Sequence, residues 1–248
     1  MQRIDRPEAM DRPDADPEEL AHGLDCLAQI NGWLGGWWSV RQVLSRGLPR
    51  STREGALLLD VGTGAGDIAR RVARRWRKQR LRIVALDRHP VTLSYARRHA
   101  GGGTASPVEK HPGPAPPGPV MGFVQGDALR LPFRSDSLDV ALCSLTLHHF
   151  AEEEAVRVLS ELKRVARRAV VVTDLRRSGS AWLLIWLLTR LVWRSRIVRS
   201  DGPASVLRAY TPGELRGLAG RAGLRGARIL RQPFFRMALL YVKTHDGA

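Results

Sequence analysis

The residues best suited to hold a ligand lie in one segment, Asp60-Val61-Gly62-Thr63-Gly64-Ala65-Gly66, directly after the apolar run 57–59. An apolar run that ends in an acid is typical of a parallel strand buried on both faces. Glycines at alternate positions allow a tight turn and let the backbone approach a ligand without an intervening Cβ. The N–H groups of a helix that begins behind this turn can bind an anionic or polar group of that ligand.

The spacing of the glycines separates this loop from two common phosphate-binding loops. A dinucleotide-binding loop has the pattern G-x-G-x-x-G, whereas Asp67 occupies the sixth position here. A Walker loop requires Gly-Lys-Ser/Thr after four spacer residues, and no lysine stands there. The pattern that remains is D-x-G-x-G-x-G. The alternative on this motif alone is a glycine turn in an unrelated α/β protein.

Two further apolar runs also end in acids. The run 81–86 ends at Asp87, which is followed by Arg88, and a carboxylate there can accept hydrogen bonds from both hydroxyls of a ribose. The run 121–126 ends at Asp127, which is followed by Ala128. Each acid alone has an ordinary interpretation as a turn residue. Three acids that close three successive strands indicate a common ligand site.

A fourth apolar run, 139–143, leads through Ser144 and Leu145 to the pair His148 and His149, and the run 169–175 predicts a fifth strand. The pKa of histidine lies near neutral pH, so either imidazole is a candidate general base. The alternative for each histidine is a structural role, in which it caps the loop or packs against the next helix.

Together these motifs resemble those of the class I S-adenosylmethionine-dependent methyltransferases over roughly residues 57–242. The resemblance implies S-adenosylmethionine as the cofactor, with Asp60 facing its methionine amine and Asp127 its adenine amino group. One of the two histidines, with His148 preferred, would lie where the methyl group points. The cofactor-binding residues that the resemblance implies are Asp60, Gly62, Thr63, Gly64, Gly66, Asp87, Arg88, Asp127, Ala128, Ser144 and Leu145.

The segments 148–150 and 201–212 resemble the branch that includes quinone-biosynthesis and phenolic-lipid methyltransferases. This resemblance predicts methyl transfer to an oxygen or carbon of a small, largely apolar metabolite of phenolic, quinone-like or polyketide-like type. One alternative is an RNA methyltransferase. It is disfavoured because the segment 144–147 lacks the Pro-Pro-aromatic signature and because Cys143 has no Pro or basic companion to activate it. The other alternative is a non-catalytic, membrane-peripheral protein that only binds the cofactor.

The alternation of strands and helices over residues 56–175 predicts a parallel sheet with helices on both faces. The resemblance implies an α/β, doubly wound, Rossmann-like fold of seven mostly parallel strands with an antiparallel last strand. Residues 1–16 are acidic and Pro-rich, which predicts a disordered tail. Residues 17–248 are predicted to form a single domain with a helical cap at 17–50 and a lid insertion at 176–209.

The lid contains the segment 181–193, which would be apolar on nearly every side as a helix. Thirteen residues are too few to span a bilayer, which needs roughly twenty. Its place after the fifth strand predicts a hydrophobic lid over the substrate, and ordinary core or contact with a membrane or partner are the alternatives. The predicted substrate residues of the cap and lid regions are Trp33, Trp37, Trp38, Trp182, Trp186 and Tyr210.

Composition sets further limits on partners and location. The net charge is +16, but only four of the 40 basic residues are lysines and the arginines are spread along the chain. This pattern favours a solvated surface, leaves contact with an anionic membrane open, and disfavours nucleic acid. Two cysteines predict neither a disulfide framework nor a metal site, which suits a cytoplasmic protein. The protein is predicted to be a monomer or a homodimer, and peripheral contact with a membrane is left open.

Overall fold

A seven-stranded sheet organises the protein in this computed structural model, which describes residues 1–6, 8–11, 16–49, 53–100, 120–192 and 195–243. The strands are β1 (Leu57–Val61), β2 (Arg82–Asp87), β3 (Val120–Gln125), β4 (Leu138–Ser144), β5 (Ala166–Leu175), β6 (Arg228–Gln232) and β7 (Arg236–Val242). Their order is β3-β2-β1-β4-β5-β7-β6, and β7 runs antiparallel to both of its neighbours. The predicted doubly wound sheet with an antiparallel last strand is confirmed.

The helices of the described chain are α1 (Pro17–Trp33), α2 (Gly36–Gly47), α3 (Asp67–Arg75), α4 (Pro90–Arg98), α5 (Glu152–Val165), α6 (Gly179–Leu191), α7 (Arg196–Arg208) and α8 (Pro212–Arg221). One apolar core joins the sheet to α2 and α3, and another joins it to α5 and α8. Strands β1 and β4 are buried on both faces, which is why their sequences are continuous apolar runs.

Helix α1, before β1, and the helical pair α6–α7, after β5, extend beyond these two cores. Helices α6 and α7 cross closely at Gly202, where a Cβ would lie only 2.9 Å from Thr189 and 3.1 Å from Ile185. Helix α1 packs against α7, so the predicted cap and the predicted lid touch each other. None of the described helices is both long enough and apolar enough to cross a membrane.

The described part of the N-terminal segment contacts the folded chain, whereas residues 7 and 12–15 of the predicted disordered tail lie outside the described residues. The Arg3 guanidinium donates hydrogen bonds of 2.7 Å to the carbonyl oxygens of Arg208 and Phe150. The backbone N–H groups of Ala9 and Met10 donate to the Asp201 carboxylate at 2.9 and 3.1 Å. Composition predicted disorder because the segment has few apolar residues to bury, but its polar groups find partners on α7 and on the loop after β4 instead.

Candidate functional site

A cavity of about 890 Å³ opens at the carboxyl ends of the parallel strands. This is the position at which ligands bind in open α/β sheets, since the loops after each strand meet there. Of the residues predicted to bind a cofactor or act as base, the following line the cavity: Asp60, Gly62, Thr63, Gly64, Asp87, Arg88, Asp127, Ala128, Ser144, Leu145, His148 and His149. Gly66, which was also predicted to bind the cofactor, is not among its lining residues.

The three glycines after β1 all have positive φ, of 68°, 54° and 70° for Gly62, Gly64 and Gly66, but their reasons differ. A Cβ on Gly62 would lie 2.3 Å from the Thr146 side chain, so this glycine is required by protein packing. A Cβ on Gly66 would lie 3.1 Å from Ala96 of α4. A Cβ on Gly64 would meet no protein atom within 4 Å. Gly64 is therefore the glycine at which a ligand can approach the backbone.

Buried carboxylates gather around this loop. Asp60 is 1% exposed and accepts a 2.8 Å hydrogen bond from the Thr63 hydroxyl. Burial, reinforced by the nearby carboxylates Asp67 and Asp87, raises the pKa of Asp60 to about 7. Burial also raises the pKa of Asp67 and of Asp87. Several carboxylates that are costly to ionise together favour a ligand with positive charge, which would offset their mutual repulsion.

The Asp87 carboxylate bridges two segments of the site. One oxygen accepts a 2.9 Å hydrogen bond from the Gly64 N–H and the other a 2.9 Å bond from the His89 N–H. Each carboxylate oxygen has a second lone pair, so Asp87 keeps acceptor capacity for hydroxyl groups of a ligand. Asp127, at the end of the third strand, is more exposed and accepts from the Leu129 N–H at 2.9 Å.

Two residues of the site were missed by the sequence interpretation. Asn31 of α1 and Asp67 of α3 both line the cavity and are each 8% exposed. The Asn31 Oδ1 and one Asp67 carboxylate oxygen are buried without a hydrogen-bond donor among the described residues. Buried acceptors normally have a donor, so these two atoms are candidates for contact with a donor group of a ligand. Asp67 was visible in the sequence as the departure from the dinucleotide pattern, whereas Asn31 had no sequence signal.

The loop after β4 is anchored to its neighbours by hydrogen bonds from its backbone and from a threonine side chain. Leu145 has a φ of 53° and donates its N–H to the Thr173 carbonyl at 2.8 Å. The Thr146 hydroxyl donates to the Gly62 carbonyl at 3.2 Å, which ties this loop to the glycine turn. Positive φ in a non-glycine residue is uncommon and costs conformational energy. The strained Leu145 directs the chain from β4 over the cavity towards the two histidines.

His148 lies between two carboxylates. Its Nδ1 is 2.7 Å from Asp174 Oδ1, and its Nε2 is 3.5 Å from Glu8 Oε1. Burial alone would lower the pKa of His148, but Asp174 and Glu8 outweigh burial and raise it to about 10. Burial would raise the pKa of Glu8, but His149 and His148 lower it to about 2. His148 is therefore an imidazolium at neutral pH, which disfavours its predicted role as general base.

The cap and the lid contribute aliphatic side chains to the cavity, beside charged lining residues such as Arg208 and Arg236. Lining aliphatic residues are Leu24, Leu27, Ile30 and Leu34 from the cap, Ala181, Leu184 and Ile185 from α6, and Val198 and Val206 from α7. Both of the regions predicted to cover the site thus contribute lining residues. They also bring the charged tail residue Glu8 into the cavity, which no local pattern in the sequence indicated.

None of the six predicted substrate residues is among the lining residues of the cavity. Trp33 and Trp38 are 67% and 37% exposed, and Trp37 packs edge-on against Trp76 with ring centroids 6.3 Å apart. Trp182 and Trp186 stack on each other. Tyr210 is buried and donates its hydroxyl to the Phe150 carbonyl at 2.7 Å. On α6 the cavity face is taken by residues 181, 184 and 185, and the helical period turns positions 182 and 186 away from it.

Comparison with known proteins identifies related sequences and folds. Residues 59–172 match the family model described as a methyltransferase domain. A demethylmenaquinone methyltransferase from Deinococcus radiodurans is 32% identical over 136 residues, which are 51% of this chain and 49% of that protein. The match thus spans about half the length of this curated relative.

Solved structures share the fold at low sequence identity. An S-adenosylmethionine-dependent methyltransferase from Aquifex aeolicus has a TM-score of 0.62 at 18% identity, covering 92% of this chain and 99% of that one. Human N-acetylserotonin methyltransferase, in complex with S-adenosylmethionine, has a TM-score of 0.60 at 17% identity, covering 92% and 56%. Magnesium protoporphyrin IX methyltransferase from Synechocystis PCC 6803 has a TM-score of 0.56 at 18% identity, covering 85% and 84%.

Proposed function

Because this chain carries a class I S-adenosylmethionine-dependent methyltransferase domain, we propose that it methylates an oxygen or carbon of a small, largely apolar acceptor. The observation that carries the proposal is the continuity of the cavity, which joins the carboxylates and glycine turn at one end to aliphatic side chains at the other. One end suits the cationic cofactor and the other suits a phenolic, quinone-like or polyketide-like molecule.

The residues present fit S-adenosylmethionine. Asp60, Asp67 and the Asn31 amide oxygen would hold the cationic amine, since all three offer buried acceptors. Asp87 would accept the ribose hydroxyls, and Gly64 leaves the backbone open to the ligand. Asp127 and Ala128 would lie at the adenine ring. When bound, the cofactor supplies a methyl group on a sulfonium that is already electrophilic.

The chain's own contribution to the reaction is positioning and exclusion of water. The aliphatic side chains of α1, α6 and α7 would hold the acceptor against the cofactor end and keep the site dry, which favours transfer between two aligned groups. In the protein without a bound cation, the Asp174 and Glu8 carboxylates raise the pKa of His148 to about 10, so His148 would be positively charged there and would not act as a base.

Two features argue against the RNA methyltransferase alternative. Aliphatic side chains from α1, α6 and α7 line the cavity, and two of its four lining arginines, Arg208 and Arg236, already donate hydrogen bonds to backbone carbonyls. Burial raises the pKa of the Cys143 thiol well above its ordinary value, and its side chain is fully buried, so it is a poor nucleophile. The similarity to a demethylmenaquinone methyltransferase agrees with a quinone-like acceptor.

The test is transfer of labelled methyl groups from S-adenosylmethionine to long-chain phenols, hydroquinones and bulk RNA in parallel. We expect label in the lipophilic pool with wild type and its loss in Asp60→Asn. Label in RNA alone would refute the acceptor class. Calorimetric binding of the cofactor without transfer to any metabolite extract would favour the non-catalytic alternative.

We also propose that the outer face of α6 contacts an anionic membrane, from which an apolar acceptor could enter. Leu183, Leu187 and Leu191 on this face are 51%, 41% and 79% exposed, an unusual cluster for a surface facing water. Beside them the Arg190 guanidinium lies 4.2 Å from the centroid of the Trp186 ring. An apolar ridge flanked by arginine matches the interface of anionic lipids.

Co-sedimentation with vesicles tests this contact. We expect binding to vesicles that contain phosphatidylglycerol, weaker binding to pure phosphatidylcholine, and loss of binding in the double variant Leu187→Glu/Leu191→Glu. The matched control is Val242→Glu, because Val242 is 50% exposed but lies at the far end of β7, opposite Ala169. Equal binding by the α6 variant and the control would refute a specific membrane face.

A further inference from the structure

One carboxylate and two imidazoles converge at the edge of the cavity where the N-terminal tail crosses the loop after β4. Glu8, His148 and His149 each present a ligand atom, and these atoms lie within 4.8 Å of one another. We propose that these three residues form a binding site for a divalent first-row metal ion of the zinc type. A carboxylate with two histidines is a common ligand set for such ions in catalytic sites.

The spacing of the atoms fits coordination better than direct hydrogen bonding. Glu8 Oε1 is 3.5 Å from His148 Nε2, and Glu8 Oε2 is 3.8 Å from His149 Nε2. Charge-assisted hydrogen bonds between such groups are typically about 2.7–2.9 Å long. Two ligands at tetrahedral positions around zinc, each roughly 2.0–2.2 Å from the metal, lie about 3.3–3.5 Å apart. Both Glu8 distances are close to this spacing, and the three ligand atoms, which lie within 4.8 Å of one another, would have to draw together around a bound ion.

The surroundings of His148 have the arrangement found behind metal-bound histidines. Its Nδ1 makes a 2.7 Å hydrogen bond to Asp174 Oδ1, and Asp174 Oδ2 also accepts the His148 backbone N–H at 3.0 Å. Metal-binding histidines usually donate their second ring N–H to a carboxylate or carbonyl, which fixes the ring and leaves the other nitrogen for the metal. Here that other nitrogen, Nε2, faces Glu8, and an ion bound there would displace the proton that Nε2 carries in the ion-free protein.

The carboxylate is held in place by its own partners. The Ser205 hydroxyl donates to Glu8 Oε1 at 2.8 Å, and the next two backbone N–H groups of the tail bind the Asp201 carboxylate. Glu8 is 2% exposed, so it is fixed on the inner side of the tail. A buried carboxylate fixed in this position pairs with the imidazoles in the ion-free protein and can share a bound cation with them.

All three residues line the cavity, so coordination positions not taken by protein would face the bound acceptor. An acceptor oxygen, such as that of a phenol or hydroquinone, could fill one of them and lose its proton more readily as a metal ligand. This role for the ion rests on the proposed function, whereas binding of the ion itself does not. The sequence indicated no metal site because Glu8 is 140 residues away from His148.

The test is titration of the untagged full-length protein, after dialysis against chelator, with Zn²⁺ by calorimetry and with Co²⁺ by visible absorption. We expect one ion per chain and the absorption of four- or five-coordinate Co²⁺. Asp174→Asn should weaken binding on the order of 10–100-fold, and Glu8→Gln or His149→Ala at least as much. The control is His22→Ala, which removes the imidazole 3.9 Å from Cys26 Sγ and should leave the titration unchanged.

Each outcome decides the proposal. Failure of the wild-type protein to bind a stoichiometric ion would overturn it and leave the cluster as a set of ion pairs only. Retained ion binding in folded Glu8→Gln and His149→Ala would also overturn the proposal. Loss of ion binding in His22→Ala would mean that the ion binds at α1 and would overturn it as well. If a variant fails to fold, as judged by circular dichroism, the wild-type titration still decides. Methyl transfer is assayed separately, so absence of activity with intact ion binding would refute the proposed function alone.

Discussion

The raised pKa of Asp60 predicts that cofactor binding strengthens as pH rises towards 7. In the protein without cofactor, burial and neighbouring carboxylates hold the Asp60 pKa at about 7. A cationic amine beside Asp60 favours its ionised form, so binding at lower pH must first release a proton. Asp67 and Asp87 also have raised pKa values and add to the same trend. The cofactor amine itself, with an α-amino pKa near 8, stays charged over this range.

The size of the effect follows from the fraction of Asp60 that is ionised. With a pKa of about 7, the apparent Kd is raised about 33-fold at pH 5.5 and about 2-fold at pH 7.0 relative to fully ionised Asp60. Affinity should therefore improve about 16-fold between these pH values, which is about 1.6 kcal/mol. The pH dependence of the folding stability has the opposite sign to that of the cofactor affinity. A carboxyl whose folded pKa exceeds its unfolded value destabilises the cofactor-free fold as pH rises from about 4 to about 7.

Calorimetry with S-adenosylmethionine at several pH values, in buffers of different ionisation enthalpy, measures both the affinity and the proton released. Asp60→Asn should flatten the dependence, whereas the control Asp127→Asn, which alters a more exposed acid of the same cavity, should keep it. An affinity that changes less than about threefold between pH 5.5 and 7.0, with no proton release, would refute this account of Asp60.

Three further predictions concern the walls of the cavity. Gly64→Val should abolish cofactor binding in calorimetry, because Gly64 has a φ of 54° and a Cβ there would enter the cavity. The control is Gly217→Val, at a helical position where a Cβ meets no other atom within 4 Å. An unchanged cofactor Kd for Gly64→Val would contradict the assignment of the site. Asp87→Ala should weaken cofactor binding roughly 30–150-fold, or ~2–3 kcal/mol, because two ribose hydroxyls lose their acceptor; a change below about threefold would mean that Asp87 does not contact the ligand. Ile185→Trp should raise the Michaelis constant for a long-chain acceptor without changing the cofactor Kd, whereas Trp186→Ala should leave both unchanged. If Trp186→Ala raises the Michaelis constant and Ile185→Trp does not, Trp186 contacts the acceptor.

Much of the fold was predictable because its signals are local. Apolar runs that end at Asp60 and Asp87 identify parallel strands, and parallel strands bring their carboxyl ends to one edge of the sheet. The glycine spacing after Asp60 then distinguished the kind of loop. The cofactor end of the cavity follows from these patterns, because each strand contributes a residue at its own carboxyl end and the pairing of the strands brings these ends together.

The substrate end depended on tertiary structure. Helix α6 is apolar nearly all round, so its sequence has no polar face to indicate which side lines the cavity, and its two predicted tryptophans are not among the lining residues. The need for glycine at position 62 comes from Thr146, 84 residues later. The ionisation of His148 is set by Glu8 and Asp174, which approach it from the tail and from β5. Sequence pattern reports periodicity and chain-local geometry, but pKa values and cavity walls depend on which distant side chains the folded chain brings within a few ångströms.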